Sequence, residues 1–252
     1  ILKKGIAKAD FYSYNLYMDT IKKILGLKRK PEPIMPLTFK QMEKAANHRM
    51  ATIEKEFQKT FSFLRNYPRS VTIFGSARFP ETDPHYIKAR RLSQRIAREL
   101  KYAVITGGGP GIMEAGNRGA YEVGGKSIGM NIRLPHEQKY NTFLTASMKF
   151  YYFFARRVAL SFSSETYIFF PGGYGTLDEF FEIITLIQTG KIPKTPVVLV
   201  GSEFWNKLDA FLLEELLEKY KAIDPEDRNI YRITDDEDEI IDIIKRAPLR
   251  RE

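Results

Sequence analysis

Residues 166–182 read TYIFFPGGYGTLDEFFE. Tyr167–Phe170 is an apolar, aromatic run of the kind that fills a buried strand. Pro171-Gly172-Gly173 is a turn, and Gly175-Thr176 opens a helix. A strand that runs through glycines into a helix is half of a strand–helix–strand unit. Two readings of Glu179 stand side by side. Thr176 to Glu179 fits the S/T-x-x-E capping box, in which the glutamate bonds back to the Thr176 N–H. If the helix instead starts near Gly173, Glu179 lies about one and a half turns in and is free to face the loop edge.

The same grammar repeats outward. Short β-branched and aromatic runs occur at 71–77, 102–108, 126–132, 166–172, 196–202 and 229–235. Amphipathic helical stretches fall at 84–100, 110–123, 150–163, 176–189, 204–220 and 236–246. This alternation predicts an α/β fold, a Rossmann-like doubly wound parallel sheet whose strand-to-helix loops gather at one edge. Ligands of such sheets bind at that edge. Residues 1–67 differ: they read as two helices, near 9–27 and 38–66, separated by the three prolines of KRKPEPIMP, which forbid one continuous helix. The expected division is an N-terminal helical extension over 1–67 and the Rossmann-like domain over 68–252.

Charge follows the same division. The 252 residues carry a net +9, while residues 1–67 alone hold fourteen Lys/Arg against six Asp/Glu. The rest is near neutral, so the basic pI describes the extension and not the glycine loops. A packing appendage is expected, with no nucleic acid and no membrane as partner. There is no cysteine, which excludes disulfides, thiolate metal sites and a cysteine nucleophile and fits a cytoplasmic location. No apolar run is long enough to span a bilayer.

Several familiar sites fail on spacing. GGKS at 124–127 has Ala120 where a P-loop needs glycine, and it follows a helix instead of a strand. Setting GxGxxG on Gly107 and Gly109 puts Ile112 at the third glycine, with Asn131 and Arg133 where a ribose-binding acid is expected. His48, His85 and His136 lack metal-ligand spacing, and no GxSxG elbow exists.

Three loops and one helix stand. FGSAR (74–78) offers close backbone approach at Gly75 and Ser76 and a cation at Arg78, or else an ordinary turn. TGGGPGIMEA (106–115) leaves backbone N–H groups bare at a helix start, an anion site by free N–H groups and macrodipole. Glu114 there also reads as a simple dipole complement. The third loop is PGGYGT. The helix within 148–160 carries Arg156 and Arg157, about 100° apart around the axis, so one can reach the loop edge while the other points elsewhere; a solvated pair is the plain alternative.

With these residues laid out, the chain resembles the LOG family, cytokinin riboside 5′-monophosphate phosphoribohydrolases and their bacterial relatives. Its PGGxGTxxE signature is matched by Pro171, Gly172, Gly173, Gly175, Thr176 and Glu179, and its GGGxxGxM loop by Gly107, Gly108, Gly109, Gly111 (shifted by one) and Met113. FGSAR, LPxEQxxN (134–141) and a WxxL-like stretch (205–208) resemble the longer bacterial branch. The family's usual Arg-Lys is Arg156-Arg157 here. The resemblance implies hydrolysis of the N-glycosidic bond of a nucleoside 5′-monophosphate, AMP or a cytokinin riboside monophosphate, to free base and ribose 5-phosphate. It marks Arg156 and Glu179 as catalytic. Substrate contacts are expected from Gly75, Ser76, Arg78, Gly107, Gly108, Gly109, Gly111, Met113, Glu114, Gln138, Arg157, Gly172, Gly173, Tyr174, Gly175, Thr176 and Thr185. It implies no metal or organic cofactor, and a homodimer or larger homo-oligomer. The alternative is a non-catalytic nucleotide-binding or carrier protein, since fold alone does not fix function.

Overall fold

The computed structural model describes residues 38–133 and 141–249. The helix expected near 9–27 lies outside them. The chain divides into two compact units, 1–48 and 49–252. Helix α1 (Phe39–Leu64) begins in the first and ends in the second. Thr38 caps it through a reciprocal pair: the Gln41 N–H donates to Thr38 Oγ1 and the Thr38 N–H to Gln41 Oε1.

Among the described residues, seven strands form one parallel sheet in the order β4-β3-β2-β1-β5-β6-β7. They are β1 Ser70–Phe74, β2 Ala103–Thr106, β3 Ser127–Ile132, β4 Ala146–Phe150, β5 Thr166–Phe169, β6 Val197–Leu199 and β7 Tyr231–Ile233. The crossover helices are α2 Pro84–Arg95, α3 Ile112–Glu122, α4 Phe153–Ser161, α5 Tyr174–Gln188, α6 Ser202–Phe211 and α7 Glu237–Arg246. Helices α2 and α6 each run on into a π-helical segment, Ile96–Leu100 and Leu212–Lys219.

Strand periodicity sorts the core into two layers. Val71, Ile73, Val104, Ile168 and Val198 bury against α2, α3 and α7 through Leu92, Ile112 and Ile240. Phe74, Ile105, Met130 and Phe169 bury against the end of α1 and against α4, α5 and α6 through Leu64, Leu160, Phe180 and Trp205. Each such aromatic contributes roughly 1.5–3 kcal/mol by leaving water. This is the doubly wound sheet that the alternation implies.

Strand β4 was not expected; residues 150–163 read as one helix. The aromatic run KFYYFF suits either period. As an edge strand, β4 pairs only with β3, and its side chains alternate, with Met148 half-buried and Phe150 buried between exposed Ser147 and Lys149. The helix starts three residues later than expected.

Successive connections move outward from β1 to β4, then return to β5 on the other side of β1. The carboxyl ends of β1 and β5 therefore flank the switch point, where open α/β sheets bind ligands.

Candidate active site

The loop after β5 is tied down before it reaches α5. The Ser76 N–H, beyond β1, donates to the Pro171 carbonyl at 3.0 Å. Gly172 must lack a side chain, because a Cβ there would stand 2.1 Å from Thr176 Oγ1. Helix α5 has Gly173 as N-cap, with no side-chain cap bond. Thr176 is thus its third residue and Glu179 its sixth, so the capping box does not form. Among the described residues, no carbonyl or side chain accepts from the N–H groups of Tyr174, Gly175 or Thr176. Gly173 and Gly175 face open space.

The neighbouring helix starts differ. The Asp235 carboxylate fills the start of α6, accepting from the Gly201 and Ser202 N–H groups at 2.9 Å each. Burial pushes its pKa up, but hydrogen bonds from Ser202, Lys88 and Gly201 outweigh that and hold it below the usual carboxylate range. At α3 the Ile112 N–H donates to the Ser76 carbonyl at 2.9 Å. Gly111, at φ +68°, admits that approach; a Cβ would lie 2.3 Å from the Ser76 oxygen.

The glycine loop after β2 is held from below. The Gly108 N–H donates to Thr106 Oγ1 at 2.9 Å. The Asn141 side chain donates to the Gly109 carbonyl and to Asn117 Oδ1 at 3.1 and 3.0 Å, and Asn117 donates to Ser127 Oγ. Thr106, Asn117 and Asn141 are all buried. They were not among the expected site residues. The legible signal was Asn117, a polar residue on the inward face of an otherwise apolar, small-residue helix turn.

Arg156, the fourth residue of α4, crosses under the edge of the β2 loop. Its Nε donates to the Met130 carbonyl at 2.7 Å, and its Nη1 stands 3.8 Å from Glu179 Oε1. Their side chains are 13% and 17% exposed. The separation is too long for a hydrogen bond yet close enough for strong coupling at low dielectric. Burial raises the Glu179 pKa to about 7; Arg156 pulls it down, while Asp178 and Glu182 push it up. Burial also lowers the pKa of Arg156, against the pull of Glu179.

These parts enclose a cleft of about 750 Å³. Of the expected residues, Gly75, Ser76, Arg78, Gly107, Met113, Arg156, Gly172, Gly173, Tyr174, Gly175, Thr176 and Glu179 line it. Phe79, Leu177 and Phe204 line it too and were not expected. Gly108, Gly109 and Gly111 shape the loops behind the lining. Arg157 is held on the outside of α5 by Asp178 at 2.6 Å and Glu182 at 3.4 Å. Glu114 turns to α2 and accepts from the Tyr86 hydroxyl at 2.9 Å. Thr185 is exposed three turns along α5, and Gln138 lies outside the described residues.

Known proteins resemble this chain in both sequence and fold. A rice protein (Oryza sativa subsp. japonica) named probable cytokinin riboside 5′-monophosphate phosphoribohydrolase LOGL5 is 29% identical over 151 residues, 57% of this chain and 59% of its own length. The chain thus spans about three-fifths of that relative. The cytokinin riboside 5′-monophosphate phosphoribohydrolase of Rhodococcoides fascians is 26% identical over 160 residues, covering 62% of this chain and 80% of that one. In structure, the molybdenum cofactor binding protein of Rippkaea orientalis aligns with a TM-score of 0.51 at 24% identity, over 70% of this chain and 93% of its own. The molybdenum cofactor carrier protein of Chlamydomonas reinhardtii aligns at 0.50 and 20%, over 71% and 97%. At these identities the two structures share the fold. The family profile described as "Possible lysine decarboxylase" matches residues 113–244, a span that holds Arg156, the PGGYGT loop and Glu179. Matched over more than half its length, the chain belongs to that family, the LOG family.

Proposed function

We propose that this cleft hydrolyses the N-glycosidic bond of a nucleoside 5′-monophosphate, of the AMP or cytokinin riboside type, to a free base and ribose 5-phosphate. The observation that carries the reading is the buried pair Arg156–Glu179, 3.8 Å apart, on the same cleft wall as the uncapped start of α5. A 5′-phosphate suits the bare N–H groups of residues 174–176, where the helix dipole favours an anion. The neighbouring start of α6 already holds a carboxylate, that of Asp235.

The chemistry follows from the buried pair. Cleavage passes through a ribosyl cation resembling an oxocarbenium ion, as in other glycosidic cleavages. The Glu179 carboxylate stabilises that charge and takes a proton from the attacking water as its oxygen bonds to C1′. The C1′–N bond breaks, its electron pair goes to the base, and the proton passes on to the base nitrogen. A pKa near 7 suits a group that must accept and then release a proton at neutral pH. Arg156 remains a cation under ordinary conditions. It hydrogen-bonds the departing base or the sugar and holds the substrate in line. The names of the rice and Rhodococcoides relatives support the substrate class. A homodimer or larger assembly belongs to the same reading.

The test is incubation with a panel of nucleoside 5′-monophosphates and the matching nucleosides, with released base read by chromatography. Base release from monophosphates only, abolished in Glu179→Gln and Arg156→Ala, is expected. Equal release from nucleosides contradicts the anion site. Tight binding of a monophosphate without turnover points to a carrier.

A further inference from the structure

Helix α4 carries Arg156 but has no side-chain cap of its own; its N-cap is Tyr152. The cap comes from α1. The Glu56 carboxylate accepts from the Tyr151 N–H at 2.6 Å and, on its other oxygen, from the Tyr152 N–H at 3.4 Å. The carbonyl of the same Tyr152 accepts from the Arg156 N–H at 3.2 Å. Glu56, Tyr152 and Arg156 thus form a short relay of backbone bonds, with a negative charge at the positive end of α4. The turn of α1 that bears Glu56 is itself anchored. Thr60 is fully buried, its hydroxyl donates to the Glu56 carbonyl at 2.7 Å and lies 3.4 Å from Met148 Sδ in β4, and Phe57 packs on the core. Glu56 is thereby fixed on the side facing α4 while most of α1 around it is exposed.

We propose that Glu56 is a positioning residue for Arg156: the helical extension sets the start of α4 and, through it, the seat of the guanidinium beside Glu179. The Glu56 carboxylate bonds to the main chain of Tyr151 and Tyr152, neither of which lines the cleft, and acts through the helix. The inference rests on the hydrolase reading for its effect on turnover, but not for its structural core. A shift of about 1 Å in a catalytic group can cost on the order of 100-fold in rate, so a helix start released at one end has ample leverage.

The experiment compares wild type, Glu56→Ala and Glu56→Gln, which keeps one acceptor oxygen for the Tyr151 N–H. Glu56→Asp, with its carboxylate withdrawn by one methylene, replaces Glu56→Ala if that variant does not fold. Two readouts are taken. For AMP, kcat is expected to fall about tenfold or more in Glu56→Ala with KM changed less than about twofold, and to recover to within about threefold in Glu56→Gln. By NMR, the Arg156 Nε–H resonance, assigned by its absence in Arg156→Lys, should move in Glu56→Ala and return in Glu56→Gln. An unmoved resonance in a folded Glu56→Ala overturns the proposal whether or not the protein turns over AMP. So does an unchanged kcat in an active enzyme. A resonance that moves in a protein whose wild type releases no base from any monophosphate keeps the positioning role and removes the hydrolase reading.

Discussion

Gly107 and Arg156 share one volume of space: a Cβ on Gly107 would stand 2.2 Å from Arg156 Nη2 and 2.6 Å from Met113 Sδ. The glycine is there for the guanidinium, not for a turn, since its φ lies outside the left-handed range. Gly107→Ala is therefore expected to leave the fold intact and displace Arg156 from Glu179. Activity should fall about 100-fold, with little loss of stability, because the atoms that must move are the far ends of the flexible Arg156 and Met113 side chains. Steady-state base release and urea unfolding measure the two. Near wild-type turnover would mean that the arginine seat is softer than its packing indicates.

The buried Glu179 carboxyl links function to stability. Its folded pKa is raised, to about 7, above the unfolded value of about 4.3. Its contribution to stability is thus fully present below about pH 4 and is lost as pH rises through about 7. Glu179→Gln mimics the protonated form. The variant is expected to be inactive and yet more stable than wild type at pH 8, by on the order of 1–3 kcal/mol. The difference should disappear by about pH 4. Denaturant unfolding at the two pH values checks it, and a variant less stable at pH 8 would show the ionised form to be well solvated in its site. In wild type, kcat/KM should fall as pH drops through the same range.

Asp235 titrates in the opposite sense. Its folded pKa is depressed, so its contribution is present above the unfolded pKa of about 3.9 and is lost as pH falls below it. Its side chain is 39% exposed, which screens the charge. The cost of Asp235→Ala is therefore set at an ordinary cap, about 1 kcal/mol at pH 7. It should shrink as pH falls below about 4. Thermal unfolding across that range tests the sign.

Much of the sheet was legible because strand runs and glycine turns coincide: at 71–77, 102–108 and 166–172 the apolar run, its end and the following helix all agree. Strand β4 was hidden because ASMKF buries only its last residue fully, while the aromatic run that follows it satisfies both periods. In the site, glycines with a tight neighbour could be recognised by type but not by cause. Nothing local says that Gly107 makes room for a residue 49 positions away. Arg156 and Arg157 were distinguishable only as differing in direction. The structure gives Arg157 to Asp178 and Glu182, contacts that the family's usual lysine can also make. Phe79 and Phe204 stayed invisible because a cleft wall contributed by separate crossovers has no sequence pattern.

The cleft is made of two kinds of material, and they differ in how freely they can change. At the start of α5 it presents main-chain N–H groups, which every residue but proline supplies, and Gly172 beside them has no room for even a methyl group. The cleft is lined as well by the side chains of Phe79, Tyr174 and Phe204, of which Tyr174 is 94% exposed and can be exchanged without disturbing the core. Change is thus channelled: the main-chain donors at the start of α5 persist through most substitutions, while the aromatic lining is open to selection one side chain at a time.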